Sequence, residues 1–596
     1  MPFDTRSNQQ KAKDAIDGYM ARRQEKDTWM IHYQVIAEYF LTRKADFTIN
    51  FVPGMFLNRD LYDATGVLAG NIAASALLGM LWPSEGRNFE FRRPKNIPDT
   101  KENRDYYVEI SHRLNKSMNH IECGLNMTLD EYMRDEVFFG TCGVGVFEPF
   151  ESHVSPDAHF LFQAWDIKRM VIDEGPNGFV NRIYYEREET IENCVKEFGQ
   201  ENLSIKVQDL IKSNSILNMM QKIRILHVIE PRYSRNPEGE SVYDMPVSSC
   251  YYELDEQHLI KESGYPRMPV FVGRLLKNIR ERYGRSFAMD ALPDVLELNA
   301  IREMEIVATE KLLDPPLGVL DDGRLGANVL DTSAGAISVF NISGRIGNQP
   351  PVFPLQTIGD MKPTKDRIEE LKQSVSDHFM IDRLLDFNNE TEMTAFEVNE
   401  REKLRSYVLN SVYARQETEV FAPLIHCCFQ MELDRDHLGV LPYSEKHIGA
   451  VLNGEPILVI PPDIATAMLR GEDVYDLVFL TPASRMRKAQ LAQGIITSWK
   501  FLNDVAQAQP EIYDVIDEDM SAKLIVEYSG APDKIIRSDE VIKQIRNARD
   551  QQQQQDKKFQ QQVEMMKAAG HLKGLAPQQG APGVQSQMME QPLQVG

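Results

Sequence analysis

At 596 residues and 68.2 kDa, with 42% hydrophobic content, the chain is too long for one core and is expected to fold as two to four modules. A net charge of −23 argues against a protein that grips nucleic acid through its overall charge, because such binding works by neutralising phosphates and releasing their counterions. It leaves room for a protein that only lets DNA pass, since an acidic wall repels phosphate.

Six cysteines, Cys123, Cys142, Cys194, Cys250, Cys427 and Cys428, show neither Cys-x-x-Cys nor framework spacing, which points to a reducing compartment. Met1 to Met20 is polar and charged, so no secretory signal is expected. Lys11 to Lys44 reads as an amphipathic helix burying Trp29, Tyr33, Ile36 and Phe40. Ala64 to Ser84 carries no charge, and Gly66, Gly70 and Ala74 are spaced as in a membrane span. Asn71, Ser75 and the stop at Trp82-Pro83 favour a buried helix with close backbone packing. A strand at Phe89-Glu90-Phe91 and helix over Thr100 to Phe139 follow. Gly140 to Phe147 has the glycines of a phosphate loop but no Gly-Lys-Ser/Thr closing it, so it reads as a strand.

From His159 to Gly273 the pattern is mostly β. Phe160 to Ile172 and Phe179 to Arg187 flank the turn Asp173 to Gly178, and Lys222 to Pro231, Val247 to Leu254 and Pro269 to Leu275 continue it, interrupted by helix over Thr190 to Met220. Residues 1 to about 280 therefore form a mixed α/β module.

Next, Leu292 to Leu313 places Ile301, Met304, Ala308 and Leu312 on one helical stripe until Pro315-Pro316 stops it. Leu317 to Met361, rich in Gly, Asn, Ser and β-branched residues, suits short strands and loops. Thr364 to Leu385 returns as a second helix with Ile368, Leu371, Val375 and Phe379 on the same spacing. Each helix is roughly 33 Å long, so the pair reads as a rod carrying a small tip, or more plainly as an αα-hairpin in an ordinary core. Asp386 to Glu392 is an acidic turn, and Thr394 with Glu397 forms a capping box for a helix to about Glu432. Leu433 to Leu480 is irregular, and helix resumes near Ser484 with breaks at Pro510 and Pro532. The glutamine-rich stretch around Gln551 to Gln562 has little to bury alone, and Gly574 to Gly596 is expected to be disordered.

No paired nucleophile and base, metal spacing or Walker lysine announces a catalytic site, and no cofactor or metal is expected. His120-Ile121-Glu122 lacks the Pro-Cys-x-x-Cys of a zinc deaminase and reads as helix surface. His426-Cys427-Cys428 is the one thiol and imidazole cluster, and it supports the alternative of a cytoplasmic thiol enzyme.

Several short words, in order, resemble the portal proteins, or head-to-tail connectors, of podovirus-type phages. They are Arg23 with Trp29, Leu61-Tyr62-Asp63-Ala64-Thr65 leading to Ala73-Ala74-Ser75-Ala76-Leu77, Tyr283-Gly284-Arg285, Leu292-Pro293-Asp294, Pro315-Pro316, Thr394-Ala395-Phe396-Glu397-Val398, Thr481-Pro482-Ala483-Ser484-Arg485 and Ile536-Arg537-Ser538-Asp539-Glu540-Val541. Phe396 stands where the family pattern has a small or hydroxyl residue.

The resemblance covers roughly Ala21 to Gln562 and implies an α+β portal fold assembled as a ring of about twelve copies around a channel at one capsid vertex. It implies a wing at 1–285, stem helices at 286–314 and 363–385, a clip at 315–362 and a tunnel loop at 386–393. A long helix returns to the wing over 394–480, with crown and helical barrel at 481–570 and a disordered tail at 571–596. It further implies that Asn388, Asn389, Glu390 and Glu392 face passing DNA and that Asp321, Asp322, Arg324 and Arg345 of the clip meet the motor and later the tail. Ile301, Met304, Leu312, Ile368, Leu371 and Val375 would pack the stem. The implied partners are double-stranded DNA, the terminase large subunit, major capsid and scaffolding proteins and tail adaptors, without membrane anchoring. The implied place is the virion portal vertex, after synthesis in the host cytoplasm. Another virion assembly protein, a tail adaptor or scaffold, is the nearer alternative.

Overall fold

The computed structural model describes residues 6–49, 54–55, 57, 59–84, 86–149, 158–213, 215–237, 239, 241–321, 330–341, 352–355, 361–384, 409–435, 440–441, 451–452, 455–456, 458–506, 517–528 and 539–573. It divides into two units, one of residues 1–98 and 102–533 and one of residues 99–101 and 534–596. The first unit is mixed helix and largely antiparallel sheet, the α+β class.

Its first helix, α1 (Asn8–Phe40), opens where the Ser7 Oγ accepts from the Gln10 N–H at 3.3 Å. Tyr33, Ile36 and Phe40 are buried as their spacing requires, with Trp29 half-buried beside them. The uncharged helix α2 (Thr65–Leu81) lies in the main core, and among the described residues no helix is long and apolar enough to cross a membrane. Its small residues serve contact: a Cβ on Gly70 would stand 2.2 Å from the Phe138 ring, whereas one on Gly79 meets nothing within 4 Å. Gly70→Val is therefore expected to lower unfolding stability by ~1–3 kcal/mol through overpacking, while Gly79→Ala raises it slightly. Chemical denaturation of the two variants checks this.

After strand β1 (Phe89–Arg92), the helix expected over Thr100 to Phe139 is two, α3 (Lys101–Met118) and α4 (Leu125–Phe139). Gly124 at φ +71° ends the short turn Ile121–Cys123 and opens α4, a backbone state that favours glycine. His120, expected on a helix surface, instead caps that turn, its Nδ1 accepting from the Glu122 N–H at 3.4 Å. Strand β2 (Thr141–Phe147) then runs between β3 (Leu161–Trp165) and β9 (Val270–Arg274) in an antiparallel sheet.

The strand expected over Phe160 to Ile172 is likewise two, because Asp166 turns the chain by accepting from the Lys168 N–H at 3.0 Å. Lys26 of α1 clamps the turn by donating to the carbonyls of Ile167, Lys168 and Met170. Strands β4 (Met170–Glu174), β5 (Val180–Thr190), β6 (Lys222–Pro231), β7 (Val247–Glu253) and β8 (His258–Tyr265) form a five-stranded meander. One face, with Tyr184, Leu226 and Val228, takes Ala12, Ile16 and Tyr19 of α1. The alternate residues Ile223 and Ile225 face Ile191, Cys194, Phe198 and Val207 from helices α5 (Ile191–Phe198) and α6 (Ile205–Lys212). The four-residue helix α7 (Ile216–Met219) leads back to β6.

A helical hairpin follows, of α8 (Phe287–Leu313) and α9 (Lys362–His378), with the short α10 (Ile381–Leu384) beyond a break at Met380, whose φ is +56°. The second helix thus stops before Leu385, where the periodicity alone would carry it. Between α8 and α9, strand β10 (Leu317–Asp321) pairs in parallel with β11 (Ile337–Asn341) and antiparallel with β12 (Val352–Pro354).

Beyond the hairpin the chain is helical from Leu409 through a π turn at Glu417–Phe421 into α11 (Ala422–Asp434). The stretch from Leu433 to Leu480, expected to be irregular, contains α12 (Pro462–Leu469) and a strand, Asp476–Phe479, that pairs antiparallel with β1. Helices α13 (Pro482–Ala506) and α14 (Glu518–Tyr528) pack on each other. In the second unit, helix α15 (Asp539–Lys573) carries the glutamine run on an exposed surface, with Ile542 and Ile545 alone half-buried among its described side chains.

Candidate functional site

The hairpin is rooted in the main core of the first unit. Ser286 caps α8, its Oγ accepting from the Met289 N–H at 3.1 Å and donating to the Phe138 carbonyl at 2.8 Å. Phe287, Ala288, Met289, Ala291, Val295, Leu298 and Asn299 are buried, and Pro293 removes one rung of the ladder on that rooted turn. No residue of α8 from Ala300 to Leu313 is buried.

Helix α9 closes onto the rooted end. Leu298, Ile368 and Leu371 form a small core with Ile301 against it, while Val375 and Phe379 join the main core, Phe379 meeting the Phe40 ring at 5.8 Å. Arg367 spans the helices to both Glu297 oxygens at 2.9 and 3.1 Å, and Arg302 reaches Asp63 at 3.1 Å. The Arg367 pair is exposed and orients the helices more than it stabilises them, whereas Asp63 is nearly enclosed.

Of the residues expected to pack the stem, Ile301, Ile368 and Leu371 sit in this contact and Val375 in the main core. Met304 and Leu312 do not: they are 69% and 59% exposed, and Ile306, Val307 and Leu313 are exposed with them. At 100° per residue, Met304 and Val307 lie roughly 60° apart on α8, and Ile306 and Leu313 lie roughly 20° apart on nearly the opposite side. Helix α8 of one copy therefore presents two separate apolar faces to solvent, one of them bordering an open groove of about 520 Å³ lined by Tyr62, Ile306 and Leu313. Its distal half also carries Glu303, Glu305 and Glu310 against Arg302 and Lys311.

In the tip, the Phe340 and Phe353 rings stack at 6.1 Å across the three strands. Asp321 ends β10 opposite Asn341. Asp322, Arg324 and Arg345 lie outside the described residues, as do Asn388, Asn389, Glu390 and Glu392 and the helix start expected at Thr394.

The returning helix is held by a polar network that local sequence reading passed over. Buried Arg274 of β9 donates to Glu419 in the π turn from Nη2 at 2.7 Å and Nε at 3.2 Å, to the Gly178 carbonyl at 2.9 Å, and to Glu174, which Lys277 also pairs. Arg487 pairs with Glu417, and Trp82 stacks on Phe421 at 5.4 Å.

One residue earlier, Gln416 donates to Glu136 and accepts from the Tyr132 hydroxyl at 2.5 Å. Burial pushes the Glu136 carboxyl up to about 8, and its Oε2 is buried without a hydrogen-bond partner, which suits a protonated acid. The folded state then binds a proton that the unfolded chain, titrating near 4.5, has released. This contribution to stability is intact below pH 4.5 and falls as pH rises towards about 8, by on the order of a few kcal/mol. Denaturation midpoints measured from pH 5 to 9 are expected to fall less in Glu136→Gln than in wild type.

The thiol cluster is chemically quiet. Burial pushes Cys427 up to about 11 and Cys428 well above its ordinary value, so neither presents a thiolate, and His426 Nδ1 is engaged with the Tyr475 hydroxyl at 2.7 Å. Among the described residues no group of three or more His, Cys, Asp or Glu side chains is placed to hold a metal ion.

The profile of the family described as "Bacteriophage head to tail connecting protein" matches residues 12–536. The "Probable portal protein" of Bordetella phage BPP-1 is 25% identical over 540 residues, covering 89% of this chain and 90% of the relative. The "Portal protein" of Salmonella phage epsilon15 is 22% identical over 508 residues, covering 83% of each. A chain from the "Virion of native gene transfer agent (GTA) particle" overlays 64% of this chain and 88% of its own at 12% identity with a TM-score of 0.27. With the family match running through both helices of the hairpin and the returning helix, the chain belongs to the bacteriophage head to tail connecting proteins.

Proposed function

We propose that copies of this chain close into a ring at one capsid vertex, and that the ring is the channel through which double-stranded DNA enters the head and later leaves it. The observation that carries this reading is the pair of uncovered apolar faces on distal α8. Burying two different faces against neighbours takes a head-to-tail contact, which generates a ring when its rotation closes. Two acidic residues of the same helix, Glu303 and Glu310, lie roughly 20° apart on it and favour a wall that phosphate slides past.

Residues 1–285 act as the wing, 286–314 and 363–385 as the stem, and 315–362 as the clip. The clip, with Asp321, Asp322, Arg324 and Arg345, docks the terminase large subunit and afterwards the tail adaptors. Residues 386–393, with Asn388, Asn389, Glu390 and Glu392, act as the tunnel loop, and the outer wing meets capsid and scaffolding proteins. The long helix and its return span 394–480, and crown and barrel follow at 481–570. The role is structural rather than catalytic, in keeping with the deactivated thiols Cys427 and Cys428.

Electron microscopy with native mass measurement tests the reading. Closed rings with an opening about as wide as a DNA duplex are expected. A folded protein that stays a single copy or compact dimer at all concentrations overturns it.

A further inference from the structure

The groove bordering distal α8 and the opposite face of that helix carry opposite charges. The groove is walled by Tyr62, Ile306 and Leu313 and carries Glu310, which lies about 40° from Ile306 round the helix. The other apolar face, Met304 with Val307, carries Lys311 one turn beyond Val307. Glu310 is exposed and Lys311 half-buried, and among the described residues neither joins an ion pair. The remaining charges of the groove are taken: Arg302 meets Asp63 at 3.1 Å and Glu305 at 2.6 Å. Heights along the helix match as well. At about 1.5 Å per residue Lys311 and Glu310 differ by one step, whereas Glu303 lies roughly 12 Å from the level of Lys311.

We infer that this groove takes the Met304, Val307 and Lys311 face of the next copy in the ring, with the Lys311 ammonium paired to the Glu310 carboxylate across the seam. The inference rests on the ring reading and names its contact. Rotation about an axis returns each residue at its own height, so along helices that follow the axis the seam joins residues close in number. The two faces stand roughly 130° apart on the side that holds Glu303, while Leu298 and Ile301 meet α9 on the other. Faces short of diametrically opposite curve a row of copies towards the narrower side, so the ring closes with Glu303 inward and α9 outward. The seam also occupies Lys311, a cation that passing phosphate would otherwise hold.

Charge reversal tests this on the full-length chain, by size exclusion with light scattering at low ionic strength, where like charges are least screened. Lys311→Glu gives copies whose two faces are both acidic, and Glu310→Lys gives copies whose two faces are both basic. Each alone is expected to form rings only at about tenfold higher concentration than wild type or above, with circular dichroism unchanged. An equal mixture should close near the wild-type concentration, since every seam of an alternating ring then joins opposite charges. The double variant, Lys311→Glu with Glu310→Lys, should close on its own. Recovery in the mixture also shows that both single variants are folded. Rings from each variant alone at the wild-type concentration, or a mixture no better than its parts while wild type closes, would overturn the Lys311 to Glu310 contact and leave the ring reading standing. A wild-type chain that never closes overturns both.

Discussion

Aspartate at Ile306 together with aspartate at Val307 is expected to give a folded chain that no longer forms rings. The two side chains are neighbours in sequence but stand about 100° apart on α8, one with Leu313 and one with Met304, so each variant poisons a different apolar face. Neither face is covered within one copy, and a carboxylate there remains in water, so the monomer loses little stability. In a closed assembly the same carboxylate is buried without a partner, at roughly 2–4 kcal/mol per interface, repeated at every contact around the ring. Light scattering after size exclusion should therefore read a single-copy mass for the double variant and for each single one. Equal failure of Ile306→Asp and Val307→Asp alone separates a head-to-tail contact from a two-fold one, which a mutation on the unused face would leave intact. Rings of wild-type mass from both single variants would remove distal α8 from the interface.

Arg274→Met is expected to destabilise this first unit by about 2–3 kcal/mol, because it removes charge-assisted hydrogen bonds to two partly buried carboxylates and leaves each with one cation fewer. Glu419 keeps Arg415 at 2.9 Å and Glu174 keeps Lys277, yet the two-pronged donation into the π turn and the tie to the Gly178 carbonyl are lost. Adding Glu419→Gln should recover part of the loss, since a charge left with one cation fewer goes with it, and a double-mutant cycle in urea would read that coupling directly. Strict additivity of the two changes would mean that the pair carries no coupling.

Much of the hairpin was legible in the sequence, because α8 declares itself by repeated apolar spacing up to the stop at Pro315 and α9 by the same spacing from Ile368 to Val375. The stripe was less informative about what it faces: Ile301 and Met304 are equivalent by periodicity, and only the length over which α9 overlaps α8 makes one packed and the other exposed. Ala64 to Ser84 was readable as a close-packed helix, since glycine and alanine at that spacing serve backbone contact in any solvent. The strand Asp476–Phe479 was not readable, as its partner β1 lies almost 400 residues earlier and nothing local marks the pairing.

The Arg274, Glu419 and Glu136 network was hidden for a related reason. A charge in a local window looks like a solvated surface, and only tertiary structure reveals that Arg274 and Glu136 are enclosed. The clip and the acidic turn were expectations from the family words alone, and the functional residues expected there, Asp321 apart, lie outside the described residues.

The π turn at Glu417–Phe421 has a consequence for how the returning helix keeps its phase. Leu409, Val412 and Tyr413 before it and Leu424, Ile425, Cys428 and Phe429 after it are all buried in one core. The wider winding takes up a single extra residue, so that both halves of the helix keep facing that core. Losing one residue between Glu417 and Phe421 would let the span close as ordinary α-helix with both halves keeping their faces, whereas losing one inside α11 would rotate everything on one side of it by about 100° relative to the other.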